Sequence, residues 1–135
     1  MNKALILDSD LYFIKTLQMF FGRKNIEAII CSDALQAKDL MMNNEFDFIV
    51  SSTQLNHKSG LELVSWLKIK SMEKNIPFIL ITPTNNPEMN ASYLDLEPDA
   101  IFHKPVDLQD LLTTISNLQL NRPVKVNEPN LSRQS

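Results

Sequence analysis

Four short apolar runs in this chain end in residues able to do chemistry. Ala4 to Leu7 runs into Asp8, Ser9 and Asp10, and the run through Val50 ends in Ser51, Ser52 and Thr53. A third run stops at Thr82, and a fourth leads into Lys104 and Pro105. Gathered in one place, these ends would form a pocket of acid, hydroxyls and a single amine. Such a pocket can hold an ion pair, a cation or an anion. A serine in it attacks an electrophile only if an adjacent base takes its proton. Asp8 is the carboxylate placed to serve Ser52, and it would need a raised pKa to act as that base.

The elements that must position these residues follow from hydropathy. ALIL at Ala4 to Leu7 is a continuous apolar run, as expected of a strand buried on both faces. Apolar residues at Leu11, Ile14, Leu17, Phe20 and Phe21 have helical spacing. Glu27 to Cys31 reads as a second strand, Ala34 to Met42 as a helix with Ala34, Ala37, Leu40 and Met41 inward, and Asp47 to Ser51 as a third strand. Gly60 precedes a helix whose buried stripe is Leu61, Leu63, Val64 and Leu67. Pro77 opens a fourth strand, where a first residue can do without its N–H. A short helix is expected between Pro87 and Leu96, a fifth strand over Asp99 to His103, and a last helix over Leu108 to Leu120. Five strands alternating with five helices, joined by right-handed crossovers, require a parallel sheet covered on both faces. In such a sheet ligands bind beyond the carboxyl ends of the strands, where the four polar ends fall.

With 135 residues, 44% of them hydrophobic and 21% charged, the chain fits one globular domain. Residues 1–120 are read as that domain and residues 121–135, which have two prolines and no periodicity, as a flexible tail. A net charge of −3 gives no footprint for nucleic acid or an anionic membrane. One cysteine, Cys31, excludes an internal disulfide and fits a reducing compartment. The apolar run before Asp8 is too short for a signal peptide or a membrane span, so a soluble cytoplasmic protein is expected.

The segments ILDSD, FDFIVSSTQLNHKSGLEL, PFILIT and DAIFHKPVD, in this order and spacing from Lys3 to Leu120, resemble the receiver domain of two-component response regulators. The resemblance implies a flavodoxin-like, doubly wound (βα)5 sandwich of three layers around a five-stranded parallel sheet. It also implies an acidic pair after the first strand, an aspartate phosphoacceptor ending the third, a Thr or Ser ending the fourth, and Lys-Pro after the fifth, often with a cis bond.

The departures change the expected function. Counting back from Gly60, the phosphoacceptor position is Ser52. The Mg²⁺ ligands implied by the resemblance become Ser9, Ser52 and the Gln54 carbonyl, and neutral hydroxyls are poor ligands for a hard cation. No cofactor is therefore expected and the Mg²⁺ site is read as degraded. One acid, Asp8, is expected to face Lys104, leaving a nearly neutral pocket, with Asp10 acting as a helix cap. The switch aromatic is replaced by Ile101, the small residue after the strand-four hydroxyl by Pro83, and the glycine before strand five by Glu97.

Other residues read more simply as structure. Ser51 and Thr53 satisfy local backbone, Thr82 is a remnant of the switch, and Lys104-Pro105 fixes a turn. Asp47 begins its strand, at the end of the sheet opposite the pocket. His57 and His103 have no partners at metal-binding spacing. Cys31, Trp66 and the Met41-Met42 pair fit core packing, and Asp107 fits a helix cap.

The leading expectation is a non-enzymatic module that binds a protein partner or a second copy of itself, without taking phosphate. The resemblance implies a docking face that holds Glu88, Met89, Tyr93, Ile101, His103, Asp110 and Thr114 here. The alternatives are a receiver switched by an anion or by Ser52 phosphorylation from a separate kinase, and a small hydrolase or ligand-binding protein on the same fold. The last lacks a Gly-rich loop, having only Gly22 and Gly60.

Overall fold

Period-two alternation sorts the strand side chains into two apolar layers, one on each face of the sheet. The computed structural model describes residues 2–53, 55, 60–83 and 87–122, leaving aside the side chains of residues 34 and 87–90. The elements alternate strictly: β1 (Asn2–Leu7), α1 (Leu11–Gly22), β2 (Ile26–Cys31), α2 (Ala34–Asn43), β3 (Phe48–Ser52), α3 (Gly60–Lys74), β4 (Phe78–Thr82), α4 (Pro87–Leu94), β5 (Ala100–His103) and α5 (Leu108–Leu120). The strands form one sheet in the order β2-β1-β3-β4-β5, and every pair is parallel. This is the expected flavodoxin-like α/β sandwich.

Leu5, Leu7, Ile49, Phe78 and Leu80 point to one face, where Ala37 and Met41 of α2 and Leu63, Val64 and Leu67 of α3 cover them. Ala4, Ile6, Phe48, Val50, Ile79 and Ile81 point to the other, against Leu17 and Phe21 of α1 and Leu111 and Ile115 of α5. Strands β3 and β4 are buried along their whole length, which is why their sequences are runs of apolar residues rather than alternations. Burying each of these Leu, Ile, Val or Phe side chains contributes about 1.5–3 kcal/mol.

Strand ends differ from the expectation by a residue or two. β3 begins at Phe48 and extends through Ser52, which puts Ser52 on the strand itself. Pro77 falls just before β4, yet its carbonyl accepts from Ile49 N at 3.0 Å, so it joins the ladder as an acceptor only. Helix α4 stops at Leu94, and Glu97 turns the chain with φ 54°, the left-handed region where a glycine would be unstrained. Asp99 then takes over: its Oδ2 accepts from Phe78 N at 2.7 Å and from Arg122 Nη2 at 2.8 Å, tying the end of α5 to the sheet.

Two leucines expected inside are not. Leu11 is 71% exposed and Leu61 is 38% exposed. Both lie about 90–100° around the helix from its buried stripe, which is Ile14, Leu17 and Phe21 in α1 and Gly60, Leu63, Val64 and Leu67 in α3. Met42 is exposed although Met41 is buried, because adjacent helical residues point about 100° apart. Trp66 packs beside the core as expected, with Lys38 and Lys70 ammonium groups 5.6 and 5.5 Å from its ring centroid.

Candidate functional site

The polar strand ends meet where β1, β3, β4 and β5 finish side by side. Parallel register aligns them: Leu7 pairs with Ser51, Ser52 with Ile81, and Thr82 with His103. Asp8, one residue beyond β1, and Ser52, the last residue of β3, are each 1% exposed, while Ser51 and Thr82 are fully buried. Ser9 is half-buried in the loop after Asp8. The Ser51 hydroxyl donates to the Ser52 carbonyl at 3.3 Å, and Thr53 N donates to the Ile81 carbonyl at 3.0 Å. Gln54 and His57 lie outside the described residues.

Lys104 follows β5, and its backbone N–H donates to the Thr82 carbonyl at 2.9 Å. The Lys104–Pro105 peptide is cis. The side chain of Lys104 reaches back across the pocket to two carboxylates, 3.3 Å from Asp8 Oδ2 and 3.1 Å from Asp10 Oδ2. Its ammonium also lies 4.6 Å from the centroid of the Phe13 ring, a favourable cation–π distance. Asp8 Oδ1 accepts from Asp10 N at 2.9 Å, which fixes the acidic loop.

The expectation of one acid facing the lysine is thus corrected to two. Asp10 does cap α1, accepting from Phe13 N through Oδ1 at 3.1 Å. A carboxylate has a second oxygen, however, and Oδ2 is the one that meets Lys104. Two carboxylates against one ammonium leave this group one negative charge in excess. The Phe13 N–H, then the Lys104 hydrogen bond, hold the Asp10 carboxyl below its ordinary value, with burial opposing them.

Thr82 Oγ1 and His103 Nδ1 are 2.6 Å apart. Sequence reasoning gave Thr82 and His103 separate places and missed this pair. The signal was present: each is the last residue of its strand, and neighbouring parallel strands ending together put such residues opposite one another. Phe13 beneath Lys104 was also missed.

The expected docking face is only partly described. His103 and Asp110 are exposed, and Ile101 and Thr114 are half-buried. Tyr93 is half-buried too and packs with Ile101 against the core on the α2–α3 face, with burial raising its phenol pKa. It therefore serves packing as much as display. The side chains of Glu88 and Met89 lie outside the described residues. Asp107 caps α5, accepting from Asp110 N at 3.1 Å. Cys31 is buried, and desolvation pushes its thiol up to about 12, so it packs as an unreactive small residue. Asp47 sits at the opposite sheet end, where its Oδ2 accepts from Lys3 N at 2.7 Å. Among the described residues no group of three or more His, Cys, Asp or Glu side chains could hold a metal ion. No described helix is long and apolar enough to cross a membrane.

Fold and site together define a flavodoxin-like α/β protein with its polar residues gathered at the carboxyl edge of a five-stranded parallel sheet. The model of the response regulator receiver domain family matches residues 4–116, and the chain belongs to that family. It is similar to a probable transcriptional regulator, ycf29, of Pyropia yezoensis, with 26% identity over 116 residues covering 86% of this chain and 52% of the relative. Response regulator ArlR of Staphylococcus saprophyticus is 23% identical over 125 residues, covering 93% and 56%. The chain thus spans about half the length of these curated relatives.

Solved structures agree in fold. A two-component response regulator from Clostridium difficile superposes with a TM-score of 0.77 at 21% identity, over 90% of this chain and 98% of that one. A response regulator from Burkholderia pseudomallei, solved with a phosphorylated aspartic acid, calcium ion and citrate, gives 0.74 at 19%, over 89% and 72%.

Proposed function

We propose that this receiver domain signals by binding a protein partner, or a second copy of itself, without being phosphorylated. The observation that carries the reading is Ser52. A buried hydroxyl ends β3 where the resemblance places a phosphoacceptor aspartate. Burial also argues against a separate kinase acting on Ser52, since its hydroxyl is closed off from solvent.

The donor set does not fit the Mg²⁺ of the family. Both nearby carboxylates, Asp8 and Asp10, already converge on the Lys104 ammonium, which supplies the cation from within the chain. Ser9 and Ser52 bring only neutral oxygens in place of the carboxylates that a small hard cation prefers. The arrangement supports a pocket held in one state by its own ion pairs. Partner recognition then falls to the α4–β5–α5 face, with His103 and Asp110 among its exposed residues. Neither nucleic acid nor membrane is part of this reading, and the cytoplasm is its setting.

The test is to add beryllofluoride and Mg²⁺ to the protein and follow the amide NMR spectrum. Unchanged shifts at Ser52, Thr82 and Lys104 are expected, because no aspartate is there to hold the beryllium. Clear shifts at those three residues would overturn the reading and make Asp8 or Asp10 the ligand of a working switch.

A further inference from the structure

Thr82 closes β4, His103 closes β5, and register sets them opposite one another. Thr82 is buried at the pocket, whereas His103 is exposed. Their side chains meet at 2.6 Å, a short distance for a bond between a hydroxyl oxygen and a ring nitrogen. Ile101 lies two residues before His103 and so shares its side of β5. That residue packs against the core in the same layer as Tyr93 of α4. A single imidazole therefore joins a pocket hydroxyl to the exposed end of the strand that also carries part of the proposed docking face.

We infer that His103 is a positioning residue that holds the Thr82 hydroxyl in one rotamer, linking the pocket to the α4–β5 surface. With Nδ1 as the acceptor, the bond uses the one proton that Thr82 could give to an anion in the pocket. A hydroxyl has one proton to give and two lone pairs, so one strong partner sets the direction of its rotor. The bond also spans two adjacent strand ends, so moving either side chain displaces the other. This inference rests on the phosphorylation-independent reading and names the residue that would enforce it.

The test measures Thr82 χ1 from three-bond scalar couplings in the natural protein, in His103→Asn and in His103→Phe. Asparagine places a hydrogen-bonding atom near the Nδ1 position, while phenylalanine keeps the ring and removes the bond. A single rotamer is expected in the natural and Asn proteins, with averaging in the Phe protein. One rotamer in all three would overturn the inference, because packing alone would then fix Thr82.

A stability cycle with Thr82→Val gives a second readout, and His103→Ala replaces His103→Phe if the larger ring disturbs the fold. Each single change should lower the folding equilibrium constant about fivefold, and the double change should add little to either. Fully additive effects would deny the coupling. Beryllofluoride added to the same natural sample separates the two claims. A response there overturns the phosphorylation-independent reading, while the rotamer result still decides the role of His103.

Discussion

The two halves of the pocket are built at the same sheet edge from opposite chemistry. Asp8, Asp10 and Lys104, which follow the flanking strands β1 and β5, are charged and pair with one another across the pocket. Ser51, Ser52 and Thr82, at the ends of β3 and β4 between those strands, are neutral hydroxyls that are just as buried, or more so. A buried hydroxyl is satisfied by one or two ordinary hydrogen bonds, so the neutral half can be closed over without a counter-charge. A buried carboxylate needs a cation, and here the chain supplies it from Lys104. The difference between the halves is therefore in what each would suffer if altered. Removing charge should damage the first half, and adding charge should damage the second.

The largest effect is expected from Lys104→Met. It leaves Asp8 buried with no cation and Asp10 beside it, and breaking a buried pair by removing one partner costs about 3 kcal/mol. Urea unfolding at neutral pH should show that loss, and it should shrink in acid as the orphaned carboxylates take up protons. A loss under about 1 kcal/mol would mean that solvent already screens the pair, as in surface salt bridges.

Next comes Ser52→Asp, which puts a third carboxylate into the hydroxyl half. Like charges in one site raise each other's pKa and oppose folding, so the variant should be about 2 kcal/mol less stable at neutral pH. Millimolar Mg²⁺ should restore part of that loss in the variant and leave the natural protein unchanged. A variant as stable as the natural protein would show that Lys104 can serve a third acid, which would erase the contrast between the halves.

Much of this arrangement was legible in the sequence, for reasons that differ by residue. Runs such as FIVSS and FILIT could be read as fully buried strands because parallel sheets covered on both faces leave no polar alternation. The pocket followed, since topology alone brings the carboxyl ends of parallel strands together. The role of Asp10 was half legible. Its position before an amphipathic helix marks a cap, but the direction of its second oxygen depends on where Lys104 arrives from 94 residues away. The Thr82–His103 pair depended on two strands stopping at the same level, and strand ends are the least certain boundaries in a sequence. Leu11 and Leu61 were misplaced because each lies at the margin of an apolar stripe, about 90–100° from its buried centre, and an apolar side chain there can face solvent.

Asp10 tests the charged half most gently, because Asn can replace it without losing the cap. The side-chain oxygen of Asp10→Asn can still accept from Phe13 N, while the charge facing Lys104 is gone. Asp10 is 37% exposed, so its ion pair is partly screened and should contribute about 0.5 kcal/mol. The sign of its pH dependence follows from the lowered carboxyl. Relative to an ordinary value of 3.8 in the unfolded chain, folding favours the ionised form. The stabilisation is therefore fully present above about pH 4 and is lost as the pH falls through the lower folded value. Stability curves of the natural protein and Asp10→Asn should lie apart at pH 6 to 7 and draw together as the pH falls below the ordinary value of 3.8. Curves that stay parallel down to strong acid would show that the Asp10 charge gives nothing to folding. Lys104 would then be held by Asp8 alone, and the pocket would return to the single ion pair expected from the sequence.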